Sequence, residues 1–498
     1  MLNRLRLTPV LSTALGAALG FYCFGSLAPS GGFAVLFAAL VLLCFIRALE
    51  SAAVQSRILQ LTSVRVTAFA AGLCIGICAA NAGRNVVRFG IPEDKITAIE
   101  GVLLEDPRVI SGGRVIAALS LRKCAGDGGL RVSSRGEITV FFPEETAARL
   151  REFGRGTTVF IEGRLRLASH PGDTGTGRVY SAESMHIVKP ASAIERMRTG
   201  IRLNLIKRFD GESTDGLSVA GGLALALLVG IRDNLDTNLA AMYRSAGLSY
   251  ILALSGMHLA VLVSLIAFLL KKPLGLKASA IISAVIICLY CFIVGPMPSL
   301  NRAAIMYLLG VLAVLGALPK ESMSVLALSF IIQIIISPAS GNSLSFILSY
   351  IALAGILIVG QALTSLFSGK VPDFLLQPLA VSCGAFLATA GVTCFSFVYL
   401  APAGIIASLV LVPATTVFMI GSMIWLVLDI FSLSGLLNWP LLMLYQLMEK
   451  TASLAGIVPG ISTARPTVIL FLSVALSCLI VTLEYRRQAA LVRLRPFS

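Results

Sequence analysis

The chain has 498 residues, 57% hydrophobic and only 13% charged, about half the charged share of an ordinary soluble domain. Apolar runs near 20 residues long recur along it, which excludes a soluble globular protein and makes lipid the solvent for most of the chain. The formal charge of +15 suits either an anionic partner or the basic cytoplasmic loops of any bilayer protein.

Three apolar segments precede residue 85, near 9–28, 33–49 and 66–83. The first, behind Arg4 and Arg6, has the outline of a signal peptide, but further apolar runs follow at once and it reads as a retained span. The connection at 28–32 carries no charge, whereas the next carries Arg47, Arg57 and Arg65 against Glu50. The second connection is therefore predicted cytoplasmic, and residues 84–200 external.

Between 96 and 189 the period changes to short β segments at 96–104, 114–124, 137–142, 157–167 and 178–188. A helix is predicted at 143–153, with Glu144 and Glu145 early and Arg149 and Arg151 late. Five strands with an inserted helix suggest an OB-fold, a partly open barrel that often binds single-stranded nucleic acid through basic grooves and aromatic platforms. Arg108, Arg114, Arg122, Lys123, Arg131 and Arg135 are the basic candidates. Phe141 and Phe142 point to opposite faces of one strand, so one is core and Phe141 is the candidate for stacking. The same residues also suit a structural or protein-binding barrel with a solvated basic face. Cys124 is the one cysteine of ten outside apolar stretches, so no disulfide framework or CxxC metal site follows.

Residues 191–209 are amphipathic, with Ile194, Met197, Ile201 and Leu205 on one face and Arg196, Arg198, Arg202, Lys207 and Arg208 available elsewhere. Such a helix is expected to lie on the outer membrane surface. The run at 217–231 is short and contains Gly221 and Gly222, which suits a re-entrant or interfacial piece. Nine apolar segments follow, near 248–269, 277–295, 299–318, 323–338, 343–360, 376–398, 404–428, 432–458 and 466–484. Alternating them places Lys271, Lys272, Lys277, Lys320, Lys370, Arg486, Arg487, Arg493 and Arg495 on the cytoplasmic side, provided that 217–231 does not cross. The predicted organisation is three spans at 1–84, an external domain at 85–190, an interfacial helix at 191–215, a membrane domain at 216–485 and a basic tail at 486–498.

Three stretches place polar groups in or beside apolar segments, where they cost free energy unless they face a cavity or partner helices. The first, AMYRSAGLSYILALSGMHL at 241–259, holds Arg244, Ser245, Ser249, Ser255, Gly256 and His258; Arg232 precedes it. The second, PMPSLNRAAIM at 296–306, has Pro298 opening a helix with Asn301 and Arg302 behind it. The third, SPASGNSLSFILSY at 337–350, has Ser343 and Ser345 ahead of a span. Ser255 and His258 three apart also invite a hydrolase reading, but no orienting acid or oxyanion loop accompanies them.

With AG-x(7)-SG-x-H at 246–258, PS-x-x-RA at 298–303, and SP, LSF and AGIL at 337–338, 344–346 and 354–357, the chain resembles the ComEC competence-protein family, the inner-membrane channels for transforming DNA. The likeness covers residues 215–460 well, and the order of early spans, OB-like domain and channel domain extends it. It implies a polytopic α-helical membrane protein of about 12 spans with one extracytoplasmic OB-like barrel. It also implies that single-stranded DNA is received outside and passed inward through the bacterial inner membrane, with the C-terminus cytoplasmic. Arg232, Arg244, Ser255, Gly256, His258, Pro298, Asn301, Arg302, Ser343 and Ser345 would line the path. Beyond membrane lipid, the implied partners are an extracytoplasmic DNA receptor, a cytoplasmic ATP-driven motor, a separate nuclease and further copies of the chain. Many relatives carry a C-terminal metallo-β-lactamase-like domain, whereas this chain ends 14 residues after its last predicted span. His170, His186 and His258 cannot form the clustered ligand set of such a site. The chain is thus expected to have no cofactor or metal and to be no enzyme, and Gly369-Lys370-Val371 makes no phosphate-binding loop for a motor of its own. A transporter of another extracytoplasmic anion or polymer, and a scaffold whose barrel binds protein, are the alternatives.

Overall fold

The computed structural model describes residues 9–23, 57–83, 87–109, 115–126, 131–142, 154–167, 178–209, 217–318, 321–462 and 465–493. The predicted span at 33–49, the predicted helix at 143–153, and Arg114, His170 and Lys320 lie outside them. The chain divides into two compact units, Met1–Gly83 with Asp236–Cys288 and Met297–Ser498, and Arg84–Leu235 with Leu289–Pro296.

Helices α1 (Pro9–Tyr22) and α2 (Arg57–Ala82) open the first unit. Their backbones touch: a Cβ on Gly16 would stand 2.0 Å from the Phe69 carbonyl oxygen, and one on Gly72 would stand 1.9 Å from that of Thr13. Small residues permit this approach, and dispersion between backbones supplies the attraction that lipid exclusion cannot.

The second unit holds β1 (Ile96–Leu103), β2 (Arg108–Val109), β3 (Val115–Gly126), β4 (Arg131–Ser133), β5 (Glu137–Phe142), β6 (Thr158–Leu167) and β7 (Arg178–Lys189). Pairing runs from β1 to β6, β7, β5 and β3, and β3 pairs with β1 again. All these pairs are antiparallel except β5 with β7, which are parallel. Alternation along β3 sends Val115, Ala117, Leu119 and Leu121 inward to meet Ile99, Ile138, Val140, Phe142 and Ile161.

Two helices complete this unit, α3 (Ala193–Phe209) and α4 (Leu217–Val229). The apolar face of α3 is outward, with Ile194 63%, Met197 60% and Ile201 37% exposed. The sequence led us to expect its basic residues to be available, but two of them are not. Arg198 and Arg202 turn inward onto Asp106 and the carbonyls at 292–294, because a half-buried carboxylate and the free carbonyls of a helix end need donors. Helix α4 has 13 residues, about 20 Å, and Leu223 to Val229 are buried on every side.

The first unit continues with α5 (Thr237–Ser245), α6 (Ser249–Leu252), α7 (Gly256–Val294, whose last turns belong to the other unit), α8 (Pro298–Leu315), α9 (Ser322–Ile336) and α10 (Leu344–Gly355). A π turn at Ile356–Gly360 leads into α11 (Gln361–Phe367), and α12 (Asp373–Phe397) follows. Then come β8 (Tyr399–Leu400), α13 (Ala403–Ile430), α14 (Gly435–Ile457), β9 (Ile461–Ser462) and α15 (Pro466–Arg493). The end of α10 before this turn packs on α12 so closely that a Cβ on Gly355 would stand 2.4 Å from the Gly384 carbonyl oxygen.

Among the described residues six helices are long and apolar enough to cross a bilayer: α7, α8, α10 with α11, α12, α13 and α15. The protein is therefore a multi-pass membrane protein of mostly helical build carrying one sheet domain. Its count of qualifying helices is lower than the dozen expected, for particular reasons. The segments expected at 248–269 and 277–295 are the two arms of α7, joined at Pro273 and Gly275, whose φ of +75° only glycine adopts readily. Helix α9 has only 15 residues, and α14 carries Asn438, Gln446, Glu449 and Lys450. Near the end of α15, Glu484 is 1% exposed. It accepts from Ser365 of α11 at 2.5 Å and from Gln488 at 2.6 Å.

Candidate functional site

The first motif is a broken helix. Asp236 caps α5 by accepting from the Asn238 N–H at 2.9 Å, and Gly247, with φ +72°, turns the chain after α5 ends. The single turn of α6 gives way to extended backbone at Ala253, and α7 starts at Gly256. The Ser255 hydroxyl accepts from the Met257 N–H at 3.3 Å, the bond of a helix cap. His258, 1% exposed, accepts at Nδ1 from the Ser255 N–H at 3.1 Å, and the Ser255 hydroxyl is also 3.1 Å away. A backbone N–H can only donate, so neutral His258 carries its proton on Nε2. This geometry fastens a helix start; a nucleophilic serine would need its lone pairs free and Nδ1 unoccupied by backbone.

The second and third motifs meet beside it. Pro298 fills the first position of α8, where its missing N–H is no loss, and Asn301 donates from its backbone to the Met297 carbonyl at 2.8 Å. One turn in, Arg302 is 8% exposed. Its Nε donates to the Ser349 hydroxyl at 2.7 Å, its Nη1 reaches the Met306 sulfur at 3.7 Å, and its guanidinium lies 5.7 Å from the Tyr350 ring centre. Ser299 and Ser345 join α8 to α10 through hydroxyls 3.2 Å apart. Tyr350 donates to Gln333 Oε1 at 2.9 Å, and the Gln333 amide donates to the Pro298 carbonyl at 3.0 Å. Ser343 caps α10 by accepting from the Phe346 N–H at 3.3 Å. Arg244 is exposed at the end of α5 with no carboxylate paired to it among the described residues. Arg232, read from sequence as lining the same path, belongs to the unit that contains the sheet.

That unit has its own polar arrangement. Asp106 accepts from Arg198 Nη1 at 3.1 Å and Nη2 at 2.7 Å and lies 3.2 Å from Arg202. Burial alone would raise its carboxyl, but the bond from Arg198 and the charges of Arg202 and Arg198 outweigh it and hold it below the ordinary carboxylate range. Of the basic candidates, Arg108 pairs with Glu105 at 2.5 Å. Arg131 pairs with Glu100 at 3.3 Å and sits 4.9 Å over the Phe160 ring. Arg122, Lys123 and Arg135 are exposed, Phe142 is core and Phe141 half-buried. Strand register puts Lys123, Glu100, Phe160 and His186 in one row across β3, β1, β6 and β7. Sequence reasoning missed Phe160, although its place between inward Val159 and Ile161 carried the signal. It also missed Gln333, which lies in a plain apolar run, and did not single out Ser349 and Tyr350 at the end of the third stretch. Among the described residues no group of three His, Cys, Asp or Glu could hold a metal ion.

The profile of a family described as Competence protein matches residues 227–488, a stretch that contains all three motifs. ComE operon protein 3 of Bacillus subtilis (strain 168) is 27% identical over 164 residues, which cover 31% of this chain. The similarity spans 21% of that relative's length. No solved structure matches the chain.

Proposed function

We propose, on the footing that this chain belongs to the Competence protein family, that it is the channel through which single-stranded DNA crosses the bacterial inner membrane during transformation. The observation that carries the reading is the convergence of the three motifs on Arg302, a buried cation inside the helices with no carboxylate among the described residues. A phosphate backbone cannot enter hydrocarbon unsolvated, and hydroxyls, a histidine and a guanidinium are the groups that would accompany it. The closed strand path, with its parallel closing pair, supports an OB-like barrel outside the membrane whose exposed Arg122, Lys123 and Arg135 would meet the strand first. Shorter helices such as α1 and α9 would add crossings toward the dozen expected, with the basic tail in the cytoplasm. Inward movement opposes a negative-inside potential at about 2.3 kcal/mol per charge per 100 mV, so a cytoplasmic ATP-driven motor must pull. A DNA receptor outside and a separate nuclease complete the scheme; the channel protein itself performs no catalysis.

The test is genetic. Deleting the gene should abolish transformation and import of labelled DNA past the inner membrane. Arg302→Lys should restore part of that import, and Arg302→Gln little of it at equal protein abundance. Normal import in the deletion strain would refute the channel reading and leave the transporter of another anion as its successor.

A further inference from the structure

Arg302 is a charge without a counter-charge among the described residues. Among the described residues its contacts are a hydroxyl, a thioether and a ring face, all neutral, although the residue is more than nine-tenths buried. Groups of this kind in membrane helices are costly unless paired, and no carboxylate among the described residues pairs with this one. Its remaining nitrogen, Nη2, makes no hydrogen bond among the described residues and is directed at the start of α7. A Cβ on Gly256 would stand 3.5 Å from Nη2 and 3.4 Å from the Ala303 Cβ. The first turn of a helix leaves backbone N–H groups outside the intrahelical ladder and carries the positive end of its dipole. Ser255 occupies one of those donors by capping Met257. A guanidinium and a helix N-terminus thus face each other across a gap set by the missing side chain of Gly256. Two positive ends at such range repel in a low-dielectric interior, and an anion between them turns repulsion into two attractions.

We infer that Arg302, Gly256 and the first turn of α7 form a subsite for one phosphodiester group. A phosphodiester carries a single negative charge, matching the one positive charge of Arg302. Its two free oxygens can accept from Nη2 and from a helix N-terminus at the same time. The identity of that phosphodiester as DNA rests on the channel reading above, whereas the anion subsite itself does not. The SG-x-H motif then has a division of labour: Ser255 and His258 fix the helix start, and Gly256 keeps the gap open.

The experiment uses the full chain in a phosphate-free maltoside detergent. Thermal midpoints are measured with thymidylyl-thymidine, which has one phosphodiester, with thymidine, with glycerophosphoglycerol and with inorganic phosphate. The dinucleotide should raise the midpoint and thymidine should not. In Arg302→Met the shift should vanish while the protein without probe melts no lower than wild type, because an uncompensated buried charge has been replaced by an apolar chain of similar shape. Gly256→Ala should fold normally, since its Cβ meets only ordinary contacts, yet need roughly tenfold more dinucleotide for the same shift. A dinucleotide shift that survives Arg302→Met, or no shift in a wild type that imports DNA, overturns the subsite and leaves the channel standing. A shift lost in Arg302→Met, with glycerophosphoglycerol as effective as the dinucleotide and no DNA import in cells, assigns the subsite to a lipid headgroup and overturns the channel.

Discussion

Replacing Asp106 by alanine isolates an ion pair of the sheet-containing unit whose arginine side is buried. The change removes the acceptor of two bonds from Arg198, at 3.1 and 2.7 Å, and the neighbour of Arg202 at 3.2 Å. The Arg198 side chain is 2% exposed and cannot turn to water. It keeps Glu195 at 3.4 Å and the Phe292 and Ile293 carbonyls at 2.9 and 3.2 Å, so it is not wholly orphaned. Breaking a buried pair by deleting one partner costs about 3 to 5 kcal/mol, and the surviving acceptors place this case near about 3. At 1.36 kcal/mol per decade, local opening of α3 should become about two orders of magnitude more frequent. Hydrogen exchange of the α3 amides in the detergent-solubilised chain reads this directly. A double change, Asp106→Leu with Arg198→Met, removes both charges and should restore most of the protection. The pH dependence has a definite sign, because the folded carboxyl is held below its ordinary value of 3.8. The stabilisation is complete above that value and is lost as pH falls through the lower folded one. Exchange that changes less than about threefold in Asp106→Ala, or protection that rises on acidification, would refute the reasoning.

Gly355→Leu should abolish accumulation of folded protein, because a Cβ there already stands 2.4 Å from both the Gly384 carbonyl oxygen and the Ala388 Cβ; detergent-resistant monomer on size exclusion is the readout. Tyr350→Phe leaves buried Gln333 without its donor and should lower stability by about 1 to 3 kcal/mol, measured as a fall in thermal midpoint. Cys124 is 1% exposed, so an impermeant maleimide should leave it unmodified in intact cells and label it only after denaturation. A cysteine at Leu274, exposed beside the α7 break, should be shielded from the same reagent outside the cell if the loop faces the cytoplasm.

The parts of this fold that were legible in the sequence are those fixed by a local period. The five long strands fall within a residue or two of the alternating segments, and helix starts follow local signals such as Pro298 at α8 and Ser343 at α10. Charge was legible as composition but not as pairing. Arg131 and Arg108 look like free basic residues until strand register and a nearby turn bring Glu100 and Glu105 to them. The inward turn of Arg198 depends on Asp106, 92 residues earlier, and no local pattern encodes that distance. The motif at 246–258 read as the edge of a span because its composition is apolar; Gly247 and the cap at Ser255 break it into the single turn of α6 and a new start at α7. The partnership of Arg302 was not legible for a related reason: Gln333 is a single polar residue of α9, and Ser349 and Tyr350, adjacent on α10, meet Arg302 only when α8 and α10 pack.

The closed strand path sets the order in which the sheet can assemble. Strands β1, β3 and β5 can zip as neighbours while the chain is still emerging, since each pairs with the next long strand along. The ring, however, closes through β1 with β6 and β5 with β7, where Ile99 meets Ile161 and Val140 meets Tyr180. Those contacts join segments tens of residues apart, and the parallel pair has no hairpin to nucleate it. Until β6 and β7 arrive, β1 and β5 each present an unpaired edge to any other extended chain nearby. The last two strands therefore complete folding and protect it at the same moment. A stalled or truncated chain ending before β7 should aggregate through those edges, whereas the finished ring has none among its long strands to offer.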